Sequence, residues 1–381
     1  MTALDTLGPN TTASRRPSRW RALLATGLWI LLSSAAQGAD RGVAQGDTRH
    51  QRIAFSNSYG GSDFRKVMVR NWEEIATEAR QTGLIREAPV VSANNSAPEQ
   101  AAHIQEMVLE GYDAIVILAA SDTALKSVVR DACDAGVVIV VLASKVNEPC
   151  VYEVNYDWSE MGRAEIDYVA KRLDGLGNLL EIRGIAGDAT DADISAGIHQ
   201  AAQDYPGLKI VHTVYGDWTA SVAQQEVALA LPSLPRIDAI VDQGGDGYGA
   251  ALAFKAAGRP LPIIIMGNRQ NELALWQRER DANGYQTLSI SATPSVSQVG
   301  FWVAQQLLAG KKVPPVVTVP LVGITEAELD DWLATMPEGG AANPFYSQDI
   351  VAAMIDAELE GSAPPKVPAP TSVPAPTVAG E

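Results

Sequence analysis

Histidine and cysteine are scarce in the 381-residue chain: four histidines, His50, His103, His199 and His212, stand singly, and there are two cysteines. Neither set makes a zinc site by spacing, and no H-E-x-x-H occurs. The chain also lacks a G-x-S-x-G elbow, a G-x-x-x-x-G-K-[ST] phosphate loop and a histidine beside a plausible nucleophile, which argues against the common hydrolase and nucleotide-binding chemistries. Basic residues are the minority charge, 29 Lys and Arg against 45 Asp and Glu, for a net charge of −16. Nucleic acid and anionic membranes bind through clustered Lys and Arg, so neither is expected as a partner. The longest apolar run, 22–32, is too short to span a bilayer comfortably. What remains is 46% hydrophobic and 19% charged, an ordinary globular composition with an acidic surface.

That apolar run follows Arg15, Arg16, Arg19 and Arg21 and precedes Ala35-Ala36-Gln37-Gly38. The pattern predicts a secretory signal over 1–38, cleaved near Gly38, with an uncleaved N-terminal anchor as the alternative. Ser14-Arg15-Arg16 lacks the apolar follow-on of a twin-arginine signal, so the general secretory route is preferred. No cysteine follows the cleavage region, so no lipid anchor is expected there. Removing four arginines and Asp5 with the leader takes the net charge from −16 to −19. In an exported protein, Cys133 and Cys150 are expected to form a disulfide; two buried free thiols are the alternative.

Beyond residue 50, β-rich apolar runs alternate with helical patterns, the signature of α/β architecture with parallel sheets. Strands are expected over 52–56, 89–93, 114–119 and 137–143, then over 179–184, 209–215, 239–243, 263–267 and 288–292. Ser96-Ala97-Pro98-Glu99 reads as a helix start and Gly111 as its stop. The strands fall into two groups divided near 151–158, which predicts two doubly wound parallel-sheet lobes. The Pro-rich stretch 362–381 reads as a disordered tail or polyproline spacer.

Ligands of open α/β sheets bind beyond the carboxyl ends of the strands, and polar and aromatic residues recur there. The loop after the first strand carries Asn57, Tyr59, Phe64 and Arg65. Flat rings stack on sugar faces, while amides, carboxylates and guanidinium groups satisfy hydroxyls. A glycine-rich turn with Phe64 in the core is the alternative. Ser121, Asp217-Trp218, Gln243 to Asp246, and Asn268-Arg269 occupy later strand ends. Gly245-Asp246-Gly247-Tyr248-Gly249-Ala250 fits the spacing of the dinucleotide fingerprint, but the next strand ends in Gly267-Asn268-Arg269 and not in the required acid. A tight turn that aims Gln243 or Asp246 into a cleft is preferred. Asp191 and Asp193 could be paired catalytic acids, or a solvated loop.

The run from Arg52 to Ser58, the stretch PEQAAHIQEMVLEGYDAIVILAASDTALKSVVRDACDAGVVIVVL, and the segments YGDWTASVAQQEVALALPSLPRIDAIVDQGGDGYGAALAFKAAGR and PIIIMGNRQNE resemble periplasmic sugar-binding proteins of ABC importers, in the ribose-binding-like group. The resemblance covers 52–355. Sugar-sensing repressors share this framework but begin with a DNA-binding helix-turn-helix, where this chain has the leader. The resemblance implies type I architecture, with two lobes joined by three crossings near 153–157, 292–295 and 321–324 that close on a ligand. It places a first lobe over 50–155 plus 294–322 and a second over 156–293 plus 323–358. Carried over by position, Phe64 and Arg65 match the first-loop site, Trp218 a stacking aromatic, Gln243 a hydroxyl-binding amide, and Asn268 a place often held by Asp.

Two departures bear on the ligand. The strand 137–142 runs into Ala143-Ser144-Lys145 where the family usually has Asp-Arg or Asp-Gly, and Asp191, Asp193 and Ile194 stand where an arginine usually precedes the helix glycine, here Gly197. A changed clamp changes which ligand fits. A polyol, a sugar acid held by Arg65, Arg269 or Lys145, and an amino-sugar held by the acids are all compatible with the residues. The resemblance implies a monomeric, cofactor-free and metal-free periplasmic protein that passes a sugar-like ligand to an inner-membrane ABC permease. A sensing module docked on a chemoreceptor or sensor kinase is the alternative, and an exported enzyme on a similar fold the second.

Overall fold

The structure is a computed structural model that describes residues 41–370; the expected leader, 1–38, and residues 371–381 lie outside the described part. Its first elements are β1 (Ile53–Asn57), α1 (Asp63–Gln81), β2 (Val90–Ser92), α2 (Ala97–Leu109), β3 (Ala114–Leu118), α3 (Lys126–Asp134), β4 (Val138–Leu142) and β5 (Tyr152–Asn155). Then follow α4 (Trp158–Arg172), β6 (Gly177–Arg183), α5 (Ala189–Ala202), β7 (Leu208–Tyr215), α6 (Ala220–Ala230), β8 (Ala239–Asp242), α7 (Gly247–Ala256), β9 (Ile263–Ile264), α8 (Gln270–Asn283) and β10 (Ser289–Ser291). The chain ends with α9 (Val296–Leu308), β11 (Val316–Thr318), β12 (Val322–Ile324), α10 (Leu329–Ala334) and α11 (Gln348–Glu360).

The helices begin where the sequence supplies caps. Ser96 accepts the Glu99 amide with Pro98 in the first turn, and Asp157 accepts the Glu160 amide at 2.9 Å to start α4. After α2 the chain turns at Gly111, whose φ of 78° favours glycine.

Six parallel strands in the order β11-β5-β4-β3-β1-β2 form the first sheet, and four in the order β7-β6-β8-β9 form the second. An antiparallel β10–β12 pair continues the second sheet through a bridge between Met266 and Ser289. β1, β3 and β8 are buried along their whole length, as expected of parallel strands covered by helices on both faces. In the first lobe, Trp72 lies 5.0 Å from Phe55 and 5.2 Å from Phe301 between ring centres, and its indole donates to Ala88 O. Ile182, Ile240, Phe254 and Ile264 form part of the core of the second lobe.

The sheets are joined at 156–157, between β5 and α4, at 292–295, between β10 and α9, and at 319–321, between β11 and β12. The Tyr156 hydroxyl donates to Thr293 O at 3.1 Å and accepts from Thr293 N at 3.2 Å, tying the first two crossings together.

The C-terminal part differs from the sequence expectation, which put 323–358 in the second lobe. Helix α10 does pack on α8 there, but α11 packs on α9 and β11 of the first lobe. Its buried Val351, Met354 and Ile355 join the first-lobe core, Asp356 accepts from Lys311 Nζ at 2.6 Å, and Glu358 accepts the Thr318 amide at 2.9 Å. Of the expected disordered tail or polyproline spacer, residues 362–370 have no helix or strand, and Val367 lies against a second-lobe apolar cluster.

Cys133 and Cys150 form a disulfide with 6.3 Å between their Cα atoms, joining the end of α3 to the approach to β5. Closing a loop of 17 residues contributes about 3 kcal/mol in the chain-entropy account. Denaturant unfolding with and without reductant should show a loss of about that size. Equal midpoints, or two titratable thiols in unreduced protein, would contradict it.

Candidate functional site

The carboxyl ends of the two sheets hold most of the strained backbone. Of the six non-glycine residues with positive φ among those described, Asn94 and Asn95 follow β2, Ala143 follows β4, and Asp217 and Trp218 follow β7; Asp174 alone lies elsewhere. Such conformations cluster where a backbone must aim side chains and not merely turn.

On the first lobe, Asn57 ends β1 fully buried. Its Nδ2 donates to Tyr59 O at 2.8 Å and Ser92 Oγ at 3.1 Å, but Oδ1 has no partner. The half-buried Arg65 guanidinium makes one hydrogen bond, a long 3.9 Å contact to Met68 Sδ. Burial pushes Arg65 down to about 10, and Asp188, at the N-cap of α5 in the other lobe, is the charge that counters this. Tyr59 is exposed and lies over Gly61, so it sits at the rim. Phe64 packs against the first-lobe core and is only half-buried, so the core reading of this residue accounts for much of its surface. Ser121 accepts the Ala124 amide at 3.1 Å and holds the turn into α3.

On the second lobe, Asp191 is buried and accepts from Arg183 Nε and Nη2 at 3.0 and 2.5 Å, from Gly184 N at 3.0 Å, and from Gln243 Nε2 at 2.9 Å. Gln243 also donates to Asp191 O and accepts the Gly184 amide, so its amide is committed within the lobe. Asn268 is likewise spent: Nδ2 donates to Ser291 O and Val322 O, and Oδ1 accepts from Ser289 Oγ at 2.6 Å. Both amides of these expected ligand contacts thus serve strand-end partners and brace the loops they join. The Trp218 indole lies over Gly184, where any side chain would meet it at 2.3 Å. Arg269 donates to Trp218 O at 2.9 Å and Gly245 O at 3.4 Å, fixing the two loops together.

Asp246 is the least satisfied group. It is 0% exposed, and neither carboxylate oxygen has a hydrogen-bond partner. Burial pushes it up to about 8, against the pull of Arg269, while Glu272, itself raised by burial, adds to the upward shift. Behind it, burial also raises Asp242 and Glu165.

Asp193 stands apart from these groups. It accepts from Lys145 Nζ at 2.5 Å, an ion pair between the lobes, and lines an interlobe cavity of about 430 Å³ beside the first crossing. Lys145, Asn155, Tyr156 and Trp158 form other parts of that wall. Sequence reasoning missed Thr293, whose buried Oγ1 has no partner in the second crossing. Its one signal was a threonine inside a segment already expected to cross between lobes.

Two doubly wound lobes, three crossings and a ring of under-satisfied polar groups at the facing strand ends define a hinge-closing small-ligand binding protein. The sequence profile of the periplasmic binding protein domain matches residues 53–312, and the chain belongs to that family, within its ribose-binding-like type I group. It is 27% identical over 297 residues to the xylitol-binding protein of Mycolicibacterium smegmatis, covering 76% of this chain and 82% of the relative. It is 29% identical over 220 residues to the D-ribose/D-allose-binding protein of Pseudomonas aeruginosa, covering 55% of this chain and 67% of the relative. The crystal structure of an ABC transporter solute binding protein from Thermobispora bispora superposes with a TM-score of 0.77 at 33% identity, covering 84% of this chain and 99% of that one.

The Asp246 environment has a pH consequence. The unfolded chain releases this proton near the ordinary 3.8 and the folded protein near 8, so stability falls as pH rises through that window. Asp246→Asn should therefore gain melting temperature over wild type as pH rises from about 5 to about 8. A difference that stays constant with pH would contradict the buried, unpaired carboxyl.

Proposed function

We propose that the protein is the ligand-capturing component of an ABC importer and binds a neutral polyhydroxylated compound, a sugar or polyol, between its lobes. The observation that carries this reading is the set of unsatisfied buried groups at the strand ends and the second crossing: Asn57 Oδ1, the Asp246 carboxyl and Thr293 Oγ1. Buried polar atoms are rarely left without partners, and a ligand rich in hydroxyls, each both donor and acceptor, can serve all three. Arg65 adds a guanidinium hydrogen-bonded to no carboxylate, and Trp218 an aromatic face for the apolar side of a sugar. Relatives that bind xylitol and ribose or allose support the same ligand class.

The charges favour a neutral ligand over the sugar acids and amino-sugars. Arg269 is held by backbone carbonyls and Lys145 by Asp193, which leaves Arg65, itself facing the charge of Asp188, as the cation for an anionic ligand. Arg65 donates to hydroxyl oxygens from the first lobe while Asp246 meets hydroxyls from the second, so both lobes bind the ligand only when the cleft closes. Closure needs only a few kcal/mol of differential affinity and no covalent step. The protein works in the periplasm as a monomer after cleavage near Gly38, and delivers its ligand to an inner-membrane permease without nucleic acid or cofactor. Relatives described as import binding proteins support the transporter over a sensory docking role.

Thermal unfolding of refolded mature protein against xylitol, ribose, allose and sugar acids tests this. A neutral sugar or polyol at about a hundred times its Kd should add about 2.7 kcal/mol and raise the midpoint by a few degrees. Shifts confined to sugar acids, or absent throughout, would contradict the reading. Trp218→Ala should weaken binding of the shifting compound by about tenfold to a hundredfold in calorimetry; near-wild-type affinity removes Trp218 from the site.

A further inference from the structure

The chain passes between the lobes twice more after the three hinge crossings. Beyond α10, Ala342 N donates to Asn268 O in the second lobe, while the next residue, Asn343, exchanges amide hydrogen bonds of 2.7 and 2.9 Å with Asn71 on α1 of the first. Helix α11 then sits on the first lobe, anchored through Asp356 and Glu358 as described above. Gly361, at φ 63°, ends it, and Ser362 N bonds Ala357 O at 2.9 Å, which sets the direction in which the chain leaves. Pro364 and Pro365 follow, and Val367 packs against an apolar cluster that includes Leu273 and Trp276 of α8, Val322 and Ile324 of β12, and Leu329 and Trp332 of α10. These six belong to the second lobe.

We propose that residues 361–370 form an interlobe strap that restrains opening of the cleft. The strap is short and stiff. Six steps from Gly361 to Val367 reach about 19 Å at the polyproline rise of about 3.1 Å per residue, which caps the separation of the two anchors. Opening this edge beyond that reach requires Val367 to leave its cluster. Half-burying one valine shifts an equilibrium by about fivefold, which corresponds to about 1 kcal/mol. Val367 packs against apolar side chains, so the strap acts on the lobe equilibrium through contacts that use none of the polar groups assigned to the ligand.

The test needs no ligand. Spin labels on Leu109→Cys and Leu229→Cys, both exposed positions on opposite lobes, report the interlobe distance in ligand-free full-length protein by pulsed electron resonance. Val367→Asp should raise the ratio of long to short distances about fivefold, and truncation after Gly361 should do the same, with circular dichroism unchanged because Val367 lies outside every helix and strand. If both variants fold and keep the wild-type distance distribution, the strap does not restrain the lobes. Because xylitol and other sugars are absent from the experiment, this outcome is independent of whether the proposed ligand class is right.

Discussion

The polarity of the parallel strand governs the rest of this structure. Every strand of the six-stranded sheet and of its four-stranded counterpart runs the same way as its neighbours, so all carboxyl ends of a lobe emerge on one side. The faces of both sheets are covered by helices, and polar side chains find room mainly at those ends. Two such sheets turned toward one another concentrate unpaired donors and acceptors in the gap. The strained residues Ala143, Asp217 and Trp218 gather at the same place, and Asn57, Asp246 and Arg65 remain under-satisfied there. Other buried atoms without partners, such as Trp276 Nε1 and Tyr346 Oη, lie singly within the lobes, whereas Asn57 Oδ1 and the Asp246 carboxyl stand at strand ends.

The hinge is built to move without unravelling. The buried Tyr156 hydroxyl, raised to about 12 and so protonated at any physiological pH, bonds both the amide and the carbonyl of Thr293, so the first two crossings flex together. The interlobe ion pair Lys145–Asp193 is 44% and 40% exposed, and an exposed pair contributes about 0–1 kcal/mol. Neither interaction is strong enough to hold the lobes shut, so the balance is open to a ligand and to the C-terminal strap.

The fold was largely legible in the sequence because its central strands are uninterrupted apolar runs. β3, β4 and β8 fall inside their expected segments, β1 runs one residue past its segment to Asn57, β6 begins two residues before its own, and the α2 start at Ser96 and its stop at Gly111 follow from local capping chemistry. Strands β5, β11 and β12 escaped a reading by composition. They are short edge or hinge strands, β11 follows Pro314-Pro315, and pairing with a distant partner makes them strands more than any local pattern. The placement of α11 depends on long-range bonds to Lys311 and Thr318 that no local signal announces. At the site, residue types and strand ends were legible, but the state of each polar group was not. Gln243 and Asp246 stand three positions apart in one loop, yet the amide is consumed by Asp191 and Gly184 while the carboxyl is left bare. Only the three-dimensional inventory of partners separates a support from a contact.

Hydrogen exchange of the mature protein, with and without the compound that raises its melting point, tests the central claim most directly. A ligand gripped by both sets of strand ends should protect amides in 57–65 and 292–295 together with 184–193, 217–218 and 243–246, while the outer helices change little. Protection confined to one lobe, or centred away from these strand ends, would contradict capture between the facing sheets.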